Sequence, residues 1–113
     1  MDIVMEPPMY NDEYMVQRVV IIDDISGIQW SGEVRSRGLC NQDIGINDII
    51  DLVKDSIVDA RKGVNLTKVI KMGETRVKVS LRKTSGFINA SKIELYILNQ
   101  DNEALTIKLT PWI

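Results

Sequence analysis

Residues 47–63 read NDIIDLVKDSIVDARKG, and this stretch decides the fold class because it reads as a helix from end to end. Ile46, Ile49, Ile50, Val53, Ile57 and Ala60 recur at the three- and four-residue spacing that gathers apolar side chains on one helical stripe. Asn47 is suited to cap the start, because its side chain accepts an orphan backbone N–H. Asp48 and Asp51 in the first turns, and Arg61 and Lys62 at the end, complement the helix dipole. Gly63 then permits the left-handed stop. One amphipathic helix cannot bury its stripe alone, so the rest of the chain must supply the surface that covers it.

That surface reads as a sheet. Upstream, Tyr14 to Asp23 (YMVQRVVIID) is rich in β-branched residues. Val19 to Ile22 is apolar on both parities, which predicts a strand covered on both faces. Asp24, Ser26 and Gly27 supply a turn. From Ile28 to Arg35, the apolar Ile28, Trp30 and Val34 alternate with Gln29, Ser31, Glu33 and Arg35, as in a half-exposed strand. Residues 36–46 read as the loop into the helix. Residues 1–13, with Pro7-Pro8 and Asn11-Asp12-Glu13, read as an N-terminal arm, which leaves 14–113 as a single domain.

Downstream of the helix, Leu66 to Met72 and Arg76 to Arg82 flank Gly73-Glu74, where glycine in the first central position suits a tight hairpin. The turn pairs Ile70 with Val77 and Leu66 with Leu81. Lys68 falls on that same apolar face, which predicts that its strand is an edge. Lys92 to Leu98 and Glu103 to Leu109 form a second pair. A three-residue loop, Gln100-Asp101-Asn102, aligns Ile93, Leu95 and Ile97 with Leu109, Ile107 and Leu105, and Asn102 would take the left-handed position. Pro111 ends the last strand.

The order β-β-α-β-β-β-β describes an α+β domain with a single helix on a mostly antiparallel sheet. It is compatible with a β-grasp-like arrangement carrying an extra hairpin, an analogy of topology that carries no function.

Composition narrows the chemistry. With 113 residues and aromatics at 5%, the core must be built mainly of Ile, Val and Leu, at a length ordinary for one domain. No apolar run reaches the roughly 18 residues of a membrane span, and Met1 to Pro8 lacks the basic-then-apolar pattern of a secretory signal. Cys40 is the single cysteine, so no disulfide can form within the chain. These features point to a soluble cytoplasmic protein with no membrane partner.

There is no histidine, so Ser–His and Cys–His catalysis are excluded within one chain. The phosphate-binding glycine loop and the dinucleotide fingerprint are also missing. The expectation is a protein that is not an enzyme and carries no cofactor. Asn41, Asp43, Gly45 and Asn47 alternate as in a calcium loop, but the glycine is misplaced and the bidentate acid is lacking. A turn is the better reading, and no metal is expected.

Charge is the unusual property. Residues 1–60 hold 12 acids and four bases, a sum of −8, while residues 61–113 hold four acids and ten bases, a sum of +6, which together give the net −2. Three surfaces follow. Asp48, Asp51, Asp55 and Asp59 form one acidic stripe on the helix. Lys71, Arg76, Lys78 and Arg82 project from the face of the hairpin opposite its apolar side, with Arg61 and Lys62 expected close by. Met5, Met9 and Tyr10 give the arm adaptable contact residues.

A solvated face is the plain alternative for the two charged surfaces, and a frayed terminus is the alternative for the arm. Small histidine-free α+β domains with split charge recur among accessory and inhibitory proteins, phage and immunity proteins included. The resulting expectation is a protein-binding module that self-associates through its charged faces. The alternative is a binder of nucleic acid or a phosphate-bearing small ligand through the basic hairpin. Against nucleic acid stand the pI near 5.1 and the lack of aromatics interleaved along the basic strands.

Overall fold

A computed structural model describes residues 1–10, 14–37, 46–86, 88–99 and 102–112. The strands are β1 (Asp2–Met5), β2 (Met9–Tyr10), β3 (Tyr14–Ile22) and β4 (Gln29–Arg37), then β5 (Leu66–Met72), β6 (Thr75–Lys83), β7 (Ser91–Asn99) and β8 (Asn102–Trp112), with helix α1 (Ile46–Ala60) after β4. They form one sheet in the order β1-β3-β4-β8-β7-β6-β5, with β2 also alongside β3, and every pairing is antiparallel. The fold is α+β, one helix packed on an antiparallel sheet, and the six expected strands and the helix occur in the expected order.

The chain adds two strands at its start. Part of the stretch expected to lie outside the first regular element runs along β3, with Ile3 opposite Ile21 and Met9 opposite Val16. Four and two residues are too few for a readable period, so the long partner strand decides their structure. The Pro7-Pro8 corner between them is held by Glu6 N–H donating to the Arg18 carbonyl at 3.0 Å. The Gln17 side chain donates to the Glu6 carbonyl, also at 3.0 Å. At the chain start the Met1 amine lies 2.9 Å from Asp24 Oδ2. That hydrogen bond, with the charge attraction behind it, raises the amine's pKa and lowers that of the Asp24 carboxyl.

Helix α1 turns Ile49, Leu52, Val53, Ser56, Ile57 and Ala60 inward. Leu52 and Ser56 join the expected stripe, and Ile50 sits half-buried at its rim. Ser56 stays satisfied because its hydroxyl donates to the Leu52 carbonyl at 2.8 Å. Asn47 lies inside the first turn, since the helix begins at Ile46, so it is not the cap. The stop is as expected: Gly63 has φ 69° and its N–H donates to the Ala60 carbonyl at 3.1 Å.

The helix lies over β6 and β7. Toward β3 and β4 it leaves an apolar gap of about 90 Å³ bordered by Val19, Val34, Ile49, Val53 and Ile107. Among the described residues there is one helical layer, which corrects the reading of β3. Val19 and Ile21 are buried beneath the helix side, while Val20 and Ile22 on the other side are only half-buried.

Both hairpin registers match the sequence reading. Ile70 pairs with Val77, Leu66 with Leu81, and Gly73 has φ 61° in the first central position. Lys68 does sit on an edge, because β5 ends the sheet. Ile93, Leu95 and Ile97 face Leu109, Ile107 and Leu105, but through a different device. A bulge between Ile97 and Leu98 makes the one-residue shift, and Asn102, expected in the loop, pairs with Asn99 in the strand.

Arg61 departs from expectation too. Its guanidinium lies 3.4 Å from Asp23 Oδ2, tying the end of α1 to the β3–β4 turn rather than joining the basic face. Asp23 is only 1% exposed and also accepts from the Ser26 hydroxyl at 2.6 Å. No helix among the described residues is long and apolar enough to cross a membrane.

Candidate functional site

An antiparallel register puts paired residues on the same side of the sheet, so the side opposite α1 can be followed strand by strand. Its central row runs Arg18, Glu33, Lys108, Glu94, Ser80 and Thr67 across β3, β4, β8, β7, β6 and β5. The row above it runs Val16, Arg35, Thr106, Tyr96, Lys78 and Val69. Below it lie Val20, Ser31, Thr110, and the pair Lys92 and Arg82. Lys71 and Arg76 close the hairpin end.

Among the described side chains, eight bases therefore project from one side: Arg18, Arg35, Lys71, Arg76, Lys78, Arg82, Lys92 and Lys108, all exposed. Opposing them on the same side, among the described side chains, are Glu33, Glu94 and Asp2. Glu33 lies 3.6 Å from Arg35, and Glu94 accepts a hydrogen bond from the Tyr96 hydroxyl. Excess positive charge is left over, with no second layer over it among the described residues.

The placement of the basic residues is unfavourable for the fold taken alone. Lys71 stands directly opposite Arg76, and Arg82 directly opposite Lys92. Like charges opposed across strands repel. Among the described residues no carboxylate lies within ion-pairing distance of these four.

Tyr96 sits amid this charge. The Nζ atoms of Lys78 and Lys108 each lie 5.9 Å from its ring centroid, within cation–π reach. Trp112 shares the face at its far end, with Nε1 donating to the Ser31 hydroxyl at 2.8 Å. Aromatics absent along each basic strand are thus interleaved across strands. Two hollows mark the face. One, of about 310 Å³, is lined by Arg18, Ser31, Gly32, Glu33 and Lys108. The other, of about 730 Å³, lies beside Arg82, Lys83 and Lys92.

The acidic stripe occupies the other layer. Asp48, Asp51 and Asp55 are exposed and Asp59 half-exposed, on the side of α1 turned away from Ile49, Val53 and Ile57. Charge separated along the chain has become charge separated across the thickness of the molecule.

The arm residues divide. Met5 faces the helix side in line with Val19 and borders the apolar gap, while Met9 and Tyr10 are exposed, Tyr10 at 76%. Lys71, Arg76, Lys78 and Arg82 share one face, as expected. Arg18, Arg35, Lys92, Tyr96 and Lys108 join them unannounced by the sequence reading. Parity could have found the last three, because each alternates with the apolar residues of β7 or β8. The Asn41–Asp43–Gly45 run lies outside the described residues, and no metal-binding group of three or more acids or cysteines occurs among the described ones.

An uncompensated array of bases of this kind attracts anions and acidic surfaces electrostatically. It offers no paired nucleophile and base. No protein-family model matches the chain, no curated protein matches it, and no solved structure matches it, so these residues and their geometry are the ground on which a function is argued.

Proposed function

We propose that this chain is a non-catalytic protein-binding module of the accessory or inhibitory kind, whose working surface is the uncovered basic side of its sheet. The supporting observation is that eight exposed bases gather on that side with two directly opposed like-charged pairs, while the exposed aspartates of α1 lie on the other layer. Repulsion retained at the surface is relieved by an acidic partner. Another copy of the chain offers such a partner in Asp48, Asp51, Asp55 and Asp59. Because the two charged surfaces are on opposite layers, the contact is head-to-tail, which builds rings or filaments rather than a closed two-fold pair.

Sedimentation velocity checks this reading. The expected result is an oligomer at low salt that dissociates as salt rises. Asp51→Asn with Asp55→Asn should keep the melting temperature and lose association, and so should Lys78→Glu with Arg82→Glu. Mixing those two variants should restore a single contact between one basic face and one acidic helix, giving a dimer that grows no further. A monomer at low and high salt alike would remove self-association.

A single nucleic-acid strand across the same face is the second reading. It is favoured by Tyr96 between Lys78 and Lys108, an arrangement suited to stacking a base beside neutralised phosphates. Filter binding of a single-stranded oligonucleotide should fall steeply with salt. No retention even at low salt would discard it.

A further inference from the structure

We propose that the hollow where β6 ends and β7 begins is a binding site for a compact phosphate-bearing small molecule. This site shares Arg82 and Lys92 with the basic surface proposed above, and it stands whether or not copies associate.

The hollow measures about 730 Å³ and is bordered by Arg82, Lys83 and Lys92, with hydroxyls from Thr84, Ser85 and Thr110. That volume is within the range of small-molecule sites. The Arg82 fork with the Lys92 ammonium matches the several oxygens of a phosphate or diphosphate group, and the Ser85 and Thr110 hydroxyls can donate to oxygens left over.

Charge balance argues the same way. Arg82 and Lys92 are opposed across the strands, so two positive groups converge at the hollow. The single acid in the lining, Glu94, is engaged by the Tyr96 hydroxyl. Among the described residues no carboxylate forms an ion pair with Arg82 or Lys92, and an oxyanion bound there would.

The wall is fixed before any ligand arrives. Thr84 N–H donates to the Ala90 carbonyl at 3.0 Å, and its hydroxyl lies 3.0 Å from the Ala90 carbonyl and 3.3 Å from that of Ile88. On the other flank the Lys83 N–H donates to Asn65 Oδ1 at 2.8 Å. Thr84 and Ala90 are thus tied to each other and the end of β6 is tied to Asn65, which lowers the ordering cost of binding at these residues.

The test is an NMR titration of the full chain with inorganic pyrophosphate, at ionic strength held constant with sodium chloride. Saturable shifts should concentrate at Arg82 to Ser85, Ile88 to Glu94 and Thr110. Arg82→Gln with Lys92→Gln should melt no lower than the natural chain and weaken binding about tenfold or more, the equivalent of one charge-assisted hydrogen bond lost. Lys71→Gln with Arg76→Gln removes the same charge from the same face outside the hollow and should change affinity less than about twofold, as screened distant charges do. Shifts spread over the whole face without saturation would overturn the proposal. So would equal weakening by the two double variants. Binding of a single-stranded oligonucleotide at the same phosphate concentration, with no response to pyrophosphate, would overturn it as well.

Discussion

Trp30→Ala is expected to cost roughly 3–5 kcal/mol, enough to lower the melting temperature by on the order of 15 °C in a domain of this size. Trp30 is 0% exposed, on the helix side of β4 beside Pro111 of β8. Its indole reaches past that strand, and Nε1 donates to the Ser91 carbonyl at 2.8 Å. Ser91 is itself tied down, with its hydroxyl donating to the Val64 carbonyl at 2.5 Å. One side chain thus links β4, the start of β7 and the segment after α1.

Removing it opens a large void and strands a buried carbonyl. Trp30→Phe separates the two effects, because the ring volume is mostly kept while the donor is lost. That variant should cost about 1–2 kcal/mol. Urea denaturation with a constant slope measures both. A Trp30→Ala midpoint close to that of the natural chain would show that the joint bears little of the stability.

The helix, the hairpin registers and the basic strip of β5 and β6 were legible because each rests on local spacing. Gly73-Glu74 fixes one turn, and parity then decides which side Ile70, Val77, Lys71 and Arg76 occupy. Lys68 even announced its edge. Other features depend on distance along the chain. Arg61 reads as a dipole-complementing base, and only the folded chain carries it to Asp23, 38 positions upstream. The interleaving of Tyr96 with Lys78 and Lys108 needs three strands in register, so no single stretch contains it.

The bulge at Leu98 shows a subtler limit. Parity demanded a one-residue shift, and both an extra loop residue and a bulge supply it, with the same pairs facing each other afterwards. Burial of Val20 and Ile22 was overestimated for a related reason. Apolar runs report what a strand tolerates, while the number of layers is a property of the whole fold.

Gly32→Ala is expected to be at least as damaging, costing on the order of 3 kcal/mol or more, beyond the usual range for an added methyl. A Cβ placed on Gly32 would lie 1.7 Å from the Lys108 carbonyl oxygen, 2.8 Å from its carbon and 3.1 Å from Leu109 Cα. These are backbone atoms of the neighbouring strand, so no rotamer change relieves the clash. β4 and β8 would have to move apart at the pairing that joins β1 to β4 with β5 to β8. Local relief there costs ladder hydrogen bonds on both sides and disturbs Val34 and Ile107, which face each other two pairs further on. Gly27→Ala is the control, since nothing lies within 4 Å of a Cβ there and only the φ of +74° opposes it. Its cost should be about 1–2 kcal/mol. If Gly32→Ala unfolds at the same urea concentration as the natural chain, or later than Gly27→Ala, then β4 and β8 have slack at this point, and the close approach is not what requires glycine.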